Sequence, residues 1–459
     1  MTTIKLDPGA ALLLDALHGA GHAAYAVGGC VRDSLLGLAP HDWDLCTSAR
    51  PEQVMALFGA EKCIPTGLQH GTVTVKQGGR LYETTTFRTE GTYSDGRHPD
   101  AVCFVPDVRE DLARRDFTIN AMAYSAEEGL IDPFGGRDDL AAHLVRAVGE
   151  PERRFEEDAL RILRLYRFAA RFGFAIDPAT GAAARALGPH LDCVSAERIQ
   201  EELLKLLAAP RPGSYLEPAV LAVVLPELEP EKQPERFAEL CRTIDRIEPT
   251  AENVPTRLAA LLWPLGEAGA RKALRKLKCS NALTDEVTAL EREAGGGAGS
   301  FLLSRSRDRW AGSSSEDRPL GWDPAAAGSR AGDGMARTVS EEEAPGTPGS
   351  DQTLIAKRLL GRYELPTIQR LTALCSARHP EQAEAFAALR AEAEQLTAEN
   401  ACCRVSQLAV NGRDLMAAGV RPGPGLRQVL NALLEAVITG QTPNEKDALL
   451  AAAAQFSAS

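Results

Sequence analysis

Apolar and polar positions along the chain change period once, and that change divides it. Tyr25 to Val27 is a short apolar run of strand type, Val31 to Leu36 reads as a helix start, and Trp43 to Thr47 is extended again. Tyr82 to Phe87 alternates with period two, so Glu83, Thr85 and Phe87 share one face of a strand. From about residue 158 the period becomes helical: Leu160, Ile162, Leu163, Leu165 and Phe168 form an apolar face, with Asp158, Arg161, Arg164 and Arg167 recurring every third residue along its edge. After Phe172 the pattern is helical throughout. Ser195 is placed to cap an amphipathic helix running through Glu201 to Leu207, and Ala- and Leu-rich helical runs fill Pro218 to Glu293 and Thr353 to the end. Gly295 to Ser350 is rich in Gly, Ser, Arg, Pro and Asp, carries Arg305, Arg307 and Arg309, and has no sustained apolar period. It is expected to be a disordered insertion. The pattern predicts an α+β N-terminal part followed by an all-helical remainder.

The chemistry concentrates where strands and turns predominate. Gly28-Gly29 follows a strand and precedes a helix start, so the backbone can approach a phosphate with no Cβ in the way. Asp42 and Asp44 lie one residue apart in an extended stretch and therefore point the same way. Two hard oxygen ligands on one spot suit Mg²⁺, which takes few protein carboxylates and completes its shell with water and substrate phosphates. Such a pair is what two-metal phosphoryl or nucleotidyl transfer requires. Glu83 either adds a third carboxylate or is an ordinary sheet residue; alternation admits both. His41-Asp42 also fits a metal phosphohydrolase of the HD type, but the eight histidines are scattered and no cluster supports it.

Taken in order, the glycine pair and the carboxylates resemble the nucleotidyltransferase superfamily that includes DNA polymerase beta. The resemblance narrows with Glu83-Thr84-Thr85-Thr86-Phe87-Arg88-Thr89-Glu90-Gly91, Arg97-His98-Pro99-Asp100, Arg114-Arg115-Asp116-Phe117-Thr118-Ile119-Asn120-Ala121-Met122-Ala123, Asp132-Pro133-Phe134-Gly135-Gly136 and Glu157-Asp158-Ala159-Leu160-Arg161. Together, over roughly residues 20 to 210, they resemble the class II, bacterial-type CCA-adding tRNA nucleotidyltransferases and the related bacterial poly(A) polymerases. The resemblance implies an α+β nucleotidyltransferase head with a mixed sheet and helices, followed by an all-α neck, body and tail. The corresponding expected boundaries are head 1–145, neck 146–210, body 211–294, insertion 295–350, and helical body with tRNA-binding tail 351–459.

The implied site has Asp42 and Asp44 as Mg²⁺ ligands and catalytic carboxylates with Glu83. Gly28, Gly29, Arg32, Arg115, Asp158, Arg161, Arg164 and Arg167 are the implied nucleotide-binding residues. The chemistry of Asp158 and Arg161 accounts for selection of C and A. Both bases present an exocyclic amino donor beside a ring-nitrogen acceptor, which a carboxylate and a guanidinium satisfy, whereas uracil and guanine present a carbonyl instead of the amino group. The implied partners are tRNA, ATP and CTP. A full-length loop over Arg88 to Pro99 favours complete CCA addition over CC addition, and the near-neutral residues 401–459 argue against a poly(A) polymerase with a basic extension. Addition of the final A alone stays open, as does oligomeric state, with a homodimer among the options.

Net charge changes the picture of RNA contact. At −12 over 459 residues, the chain has no broad basic surface, so phosphate contacts require a local track, for which Arg153, Arg154, Arg171, Arg198 and Lys205 are candidates. Gly423-Pro424-Gly425 ahead of a helix is either a backbone-phosphate site or an ordinary cap. The ten cysteines include no CxxC pair and read as reduced thiols. With no membrane-spanning run, and with Met1 to Pro8 unlike a signal or transit peptide, a cytoplasmic location is expected.

Overall fold

A computed structural model describes residues 3–90, 102–295 and 348–456. The chain divides into two compact units, residues 1–288 and 289–459. The insertion expected at 295–350, with Arg305, Arg307 and Arg309, lies outside the described residues apart from its ends. So does most of the loop that contains Arg97-His98-Pro99-Asp100.

The first unit opens with α1 (Pro8–Gly19), held at its start by Asp7, which accepts from the Gly9 and Ala10 N–H groups. A seven-stranded mixed sheet follows, in the order β3-β4-β5-β2-β1-β8-β9. Its strands are β1 (Ala24–Val27), β2 (Leu45–Thr47), β3 (Cys63–Gly67), β4 (Thr72–Gln77), β5 (Arg80–Thr86), β8 (Ala123–Ser125) and β9 (Gly129–Ile131). β1 runs antiparallel to β2 and β8, whereas β2 runs parallel to β5 in the register Leu45↔Thr84. A separate hairpin, β6 (Arg88–Glu90) with β7 (Val102–Phe104), flanks the undescribed loop. Tyr25, Val27, Cys46 and Phe87 project from one sheet face into a core with Val108, Leu112, Ala121 and Val148. The expected sharing of a face by Glu83, Thr85 and Phe87 is seen: Glu83 is exposed, Thr85 half-buried and Phe87 fully buried as the face runs under its cover.

Helices α2 (Gly29–Leu35), α3 (Pro51–Phe58), α4 (Val108–Ala113) and α5 (Gly136–Ala141) complete this part. The chain then becomes helical through α6 (Pro151–Glu157), α7 (Leu160–Phe172), α8 (Pro178–Ala186), α9 (Ala196–Leu207) and later helices to Asn281–Gly295, interrupted by the two-residue parallel pair Leu144–Val145 and Ala175–Ile176. Ser195 occupies the N-cap position of α9 but makes no side-chain capping bond, so the expected cap is positional only. The C-terminal end of α9 is instead held by Arg257, fully buried, whose guanidinium donates to the carbonyls of Leu207, Ala209, Pro210 and Ile247. The described residues of the second unit form only helices and turns, with Leu408, Val410, Leu415, Val429, Leu433 and Leu449 forming a core near its C-terminus. Helix Pro424–Ile438 begins directly after Gly423, at φ +142°. No described helix is long and apolar enough to cross a membrane, and all ten cysteines are unpaired.

Candidate active site

Gly28 ends β1 with φ +77°, a conformation that L side chains rarely adopt, and donates its N–H to the Met122 carbonyl at 3.0 Å. A Cβ there would lie 2.8 Å from Nη1 of Arg115. The positive φ requires the glycine, and a guanidinium is seated on the turn. The two residues, 87 apart in sequence, form one surface.

The carboxylates lie beside it. The Asp44 carbonyl accepts from Val27 N–H at 2.9 Å, which extends the β1–β2 ladder by one residue. Carrying the Leu45↔Thr84 register one residue further sets Asp44 next to Glu83 on β5. Although Asp44 keeps solvent access, burial and the facing Glu83 carboxylate push its pKa up to about 6, with Asp42 adding to the rise and Arg115 opposing it. Asp42 is exposed ahead of the strand, its carboxylate against the His41 ring. Among the described residues no three His, Cys, Asp or Glu side chains close into a metal cage. The donors are hard oxygens on an open face, a set that suits a cation completing its shell with substrate.

Arg115 is oriented by Asp111, which is fully buried on α4. Asp111 accepts from Arg114 at 2.9 and 3.0 Å and, more loosely, from Arg115 Nη2 at 3.4 Å. Burial alone would raise the Asp111 pKa; Arg114 and Arg115 outweigh it and lower it. Arg115 Nε is buried with no hydrogen-bond partner among the described residues. A partly satisfied guanidinium beside a glycine turn has donors available for an anion.

The arginines of α7 are all engaged. Arg161, 9% exposed, donates to Glu157 at 2.8 Å and to the carbonyls of Arg154 and Arg114. Arg164 grips Asp116 through Nε and Nη2 at 2.9 and 2.7 Å, and Arg167 pairs with Glu202 of α9 at 2.9 Å. Asp158 sits between α6 and α7, caps α7 by accepting from Leu160 N–H, and is held bidentately by Arg198 of α9 at 2.8 and 3.2 Å. The structure therefore joins the Asp158 side chain to Arg198 and that of Arg161 to Glu157; Asp158 and Arg161 are linked only through the backbone, Arg161 N–H donating to the Asp158 carbonyl at 3.0 Å. Arg32, 4% exposed, donates to Asp33 and Asn120 and lies over the rings of Phe172 and Phe168, at 4.8 and 5.3 Å from their centroids.

The expected basic track is paired as well: Arg153 and Arg154 with Glu157, Arg171 with Asp33, Arg198 with Asp158 and Lys205 with Glu201. The sequence admits a structural pair of Arg115 with Asp111 or Asp116, and the structure has the one with Asp111; sequence reasoning missed the pairing of Arg164 with Asp116 and the roles of Glu157 and Glu202, which hold Arg161 and Arg167. One signal was available, since arginines at every third position of an apolar helix demand counter-charges close by.

Residues 24–146 match the family model described as the Poly A polymerase head domain. Residues 173–232 match that of the probable RNA and SrmB-binding site of polymerase A, and residues 362–453 match tRNA nucleotidyltransferase domain 2. The chain is 35% identical over 453 residues to the CCA-adding enzyme of Limosilactobacillus fermentum, covering 97% of this chain and 96% of that protein. It resembles the crystal structure of the Bacillus stearothermophilus CCA-adding enzyme in complex with CTP at 31% identity and a TM-score of 0.71, over 98% of both chains. The Thermotoga maritima CCA-adding enzyme complexed with tRNA, at 20% identity and a TM-score of 0.63 over 98% of this chain and 96% of that one, shares the fold.

Proposed function

This chain belongs to the family of CCA-adding enzymes, and on that premise we propose that it adds C, C and A to the 3′ end of tRNA from CTP and ATP without a nucleic-acid template, releasing pyrophosphate. The observation that carries this reading is the single surface on which Arg115 lies over the Gly28 turn beside Asp44, whose carboxyl is raised by burial and by Glu83.

Asp42 and Asp44, with Glu83 alongside, are the residues that would hold Mg²⁺, and two such ions would supply an acidified 3′-hydroxyl and neutralise the departing pyrophosphate. Arg115 and the Gly28-Gly29 turn on which it rests bind the triphosphate, with the Gly28 N–H staying on the Met122 carbonyl. Arg32 braces the turn from behind through Asn120 and the rings of Phe168 and Phe172. Asp158 accepts from the exocyclic amino group of C or A, and Arg161 donates to the ring nitrogen. A base with a carbonyl at the amino position leaves Asp158 facing an acceptor. Arg198 and Glu157 hold these two groups ready, so little reorganisation is needed when the base enters. Arg164 and Arg167 continue the nucleotide-binding edge of α7 while fastening it to Asp116 and Glu202.

The test is a product assay with purified protein, Mg²⁺, CTP and ATP, offered a tRNA truncated before its 3′ end and an unstructured RNA of equal length. Three nucleotides on the tRNA alone are expected. A long A-tract on either RNA would make the protein a poly(A) polymerase, and a single A added only after preformed CC would make it an A-adding enzyme.

A further inference from the structure

The carboxylates divide the sheet. On the β1 side of Asp44 lie the elements that grip the triphosphate, Gly28, Gly29 and Arg115. On the other side, β5, β4 and β3 continue to the sheet edge. Nucleotidyl transfer places attacking and leaving oxygens roughly in line across the phosphorus. A triphosphate held at β1 therefore requires the attacking RNA strand to arrive over β5, β4 and β3.

Pairing shows what that face presents. Thr72↔Thr85, Thr74↔Glu83 and Lys76↔Leu81 are directly opposed, so Thr72, Thr74 and Lys76 share a face with Leu81, Glu83 and Thr85. The other face, with Val73, Val75, Tyr82 and Thr84, is buried. On the open face, Thr72 and Thr85 hydroxyls bond at 3.1 Å and Thr66 and Thr74 at 2.9 Å, which keeps its floor polar. Leu81 is 60% exposed there. Lys62 ends the short 3₁₀ turn Ala60–Lys62 that leads into β3, immediately before Cys63, the partner of Val75; it thus lies close to Lys76, and both are exposed.

These two lysines stand apart from the other cations near the site. The arginines of α7 and the expected basic track are all in ion pairs, whereas Lys62 and Lys76 have no hydrogen-bond or ion-pair partner among the described residues. Glu61 does not neutralise them, because its carboxylate folds back against Gly59. Like charges held close together repel unless an anion lies between them. Lysines do protect open sheet edges, and β3 is an edge, but Lys76 is on β4, an interior strand, where that role does not apply.

We propose that the open face of β3, β4 and β5 is the docking surface for the 3′-terminal nucleotides of the RNA. Lys62 and Lys76 take a backbone phosphate and Leu81 packs against the terminal base or sugar. Lys76 is opposite Leu81, and Glu83 lies two residues further, about 7 Å along the strand. A phosphate at the lysines thus leaves the 3′-hydroxyl within one nucleotide's reach of Asp44. This rests on the reading of the protein as a tRNA nucleotidyltransferase and names where its acceptor strand lies.

The test uses the full chain and a tRNA truncated before its 3′ end, with kinetics varied separately in RNA, CTP and ATP. Failure of the unmodified protein to add nucleotides would overturn the functional reading itself. On an active protein, Lys62→Glu with Lys76→Glu should raise the KM for RNA roughly tenfold and flatten its logarithmic salt dependence by about 0.7, the loss of one single-strand phosphate contact. The KM values for CTP and ATP should not change. Lys62→Arg with Lys76→Arg should stay close to the unmodified enzyme, and each single Lys→Gln variant should remove about half the salt effect, which keeps the test valid if the double reversal folds poorly. An unchanged KM for RNA, or a rise in the KM for CTP instead, would overturn the assignment.

Discussion

Replacing Asp116 with Asn tests whether the head is fastened to α7 by charge. Asp116 is 8% exposed. Its Oδ1 accepts from Phe117 N–H at 2.8 Å and Asn120 Nδ2 at 3.1 Å, and its Oδ2 takes both Arg164 bonds. Burial alone would raise its pKa, but the Arg164 charge and the bonds from Asn120 and Arg164 prevail and hold it at about 2. Against the ordinary value of 3.8, this corresponds to about 2 kcal/mol of stability. Asn keeps the shape, but an amide that retains the bonds at Oδ1 turns N–H donors toward a guanidinium with only donors, so about 2 kcal/mol should be lost.

The sign follows from the lowered value. The contribution is present in full well above 3.8 and is lost as pH falls toward 2, about half of it by pH 3. Exchange protection of α7 amides, measured in both proteins from pH 7 downward, reads the loss within the unit that contains both partners. A difference below about 0.5 kcal/mol at pH 7, or one that does not narrow as the pH approaches 3, would refute the reasoning.

Asp42→Ala and Asp44→Ala should each abolish transfer while leaving tRNA affinity nearly unchanged in a filter-binding assay; appreciable residual transfer would remove the residue from the metal site. Arg161→Ala should lose discrimination between CTP and UTP in single-nucleotide addition, and retained selectivity would end its role in base reading. Arg198→Met frees the Asp158 carboxylate, so it should lower selectivity among nucleotides more than it lowers the rate with saturating CTP; loss of rate alone would make Arg198 a tRNA contact. Arg257→Met strips donors from the carbonyls of Leu207, Ala209 and Ile247 and should cost about 3 kcal/mol in unfolding measurements, with the KM for CTP unchanged.

The strand at Tyr25 to Val27, the helix after Gly29, the alternation through Glu83 and Phe87, and the helical series after residue 158 were all legible along the chain, because each is set by spacing within a few residues. The glycine pair and the two aspartates were legible for the same reason. The partnerships were not. Asp158 and Arg161 are neighbours in sequence, yet the fold gives Asp158 to Arg198, 40 residues on, and Arg161 to Glu157. Arg32 carries a charge suited to phosphate, yet it is buried between Asn120 and two phenylalanine rings.

By itself, then, the sequence determined the family, the order of strand-rich and helical parts, and the side chains able to carry the chemistry. Only the tertiary structure decided which carboxylate each arginine answers to, that Arg115 rests on Gly28, and that Lys62 and Lys76 come close together at the open sheet face with no partner among the described residues. Periodicity is a local property of the backbone, whereas charge pairing in a folded interior is chosen by which strands and helices pack together, across separations that no short window of sequence spans.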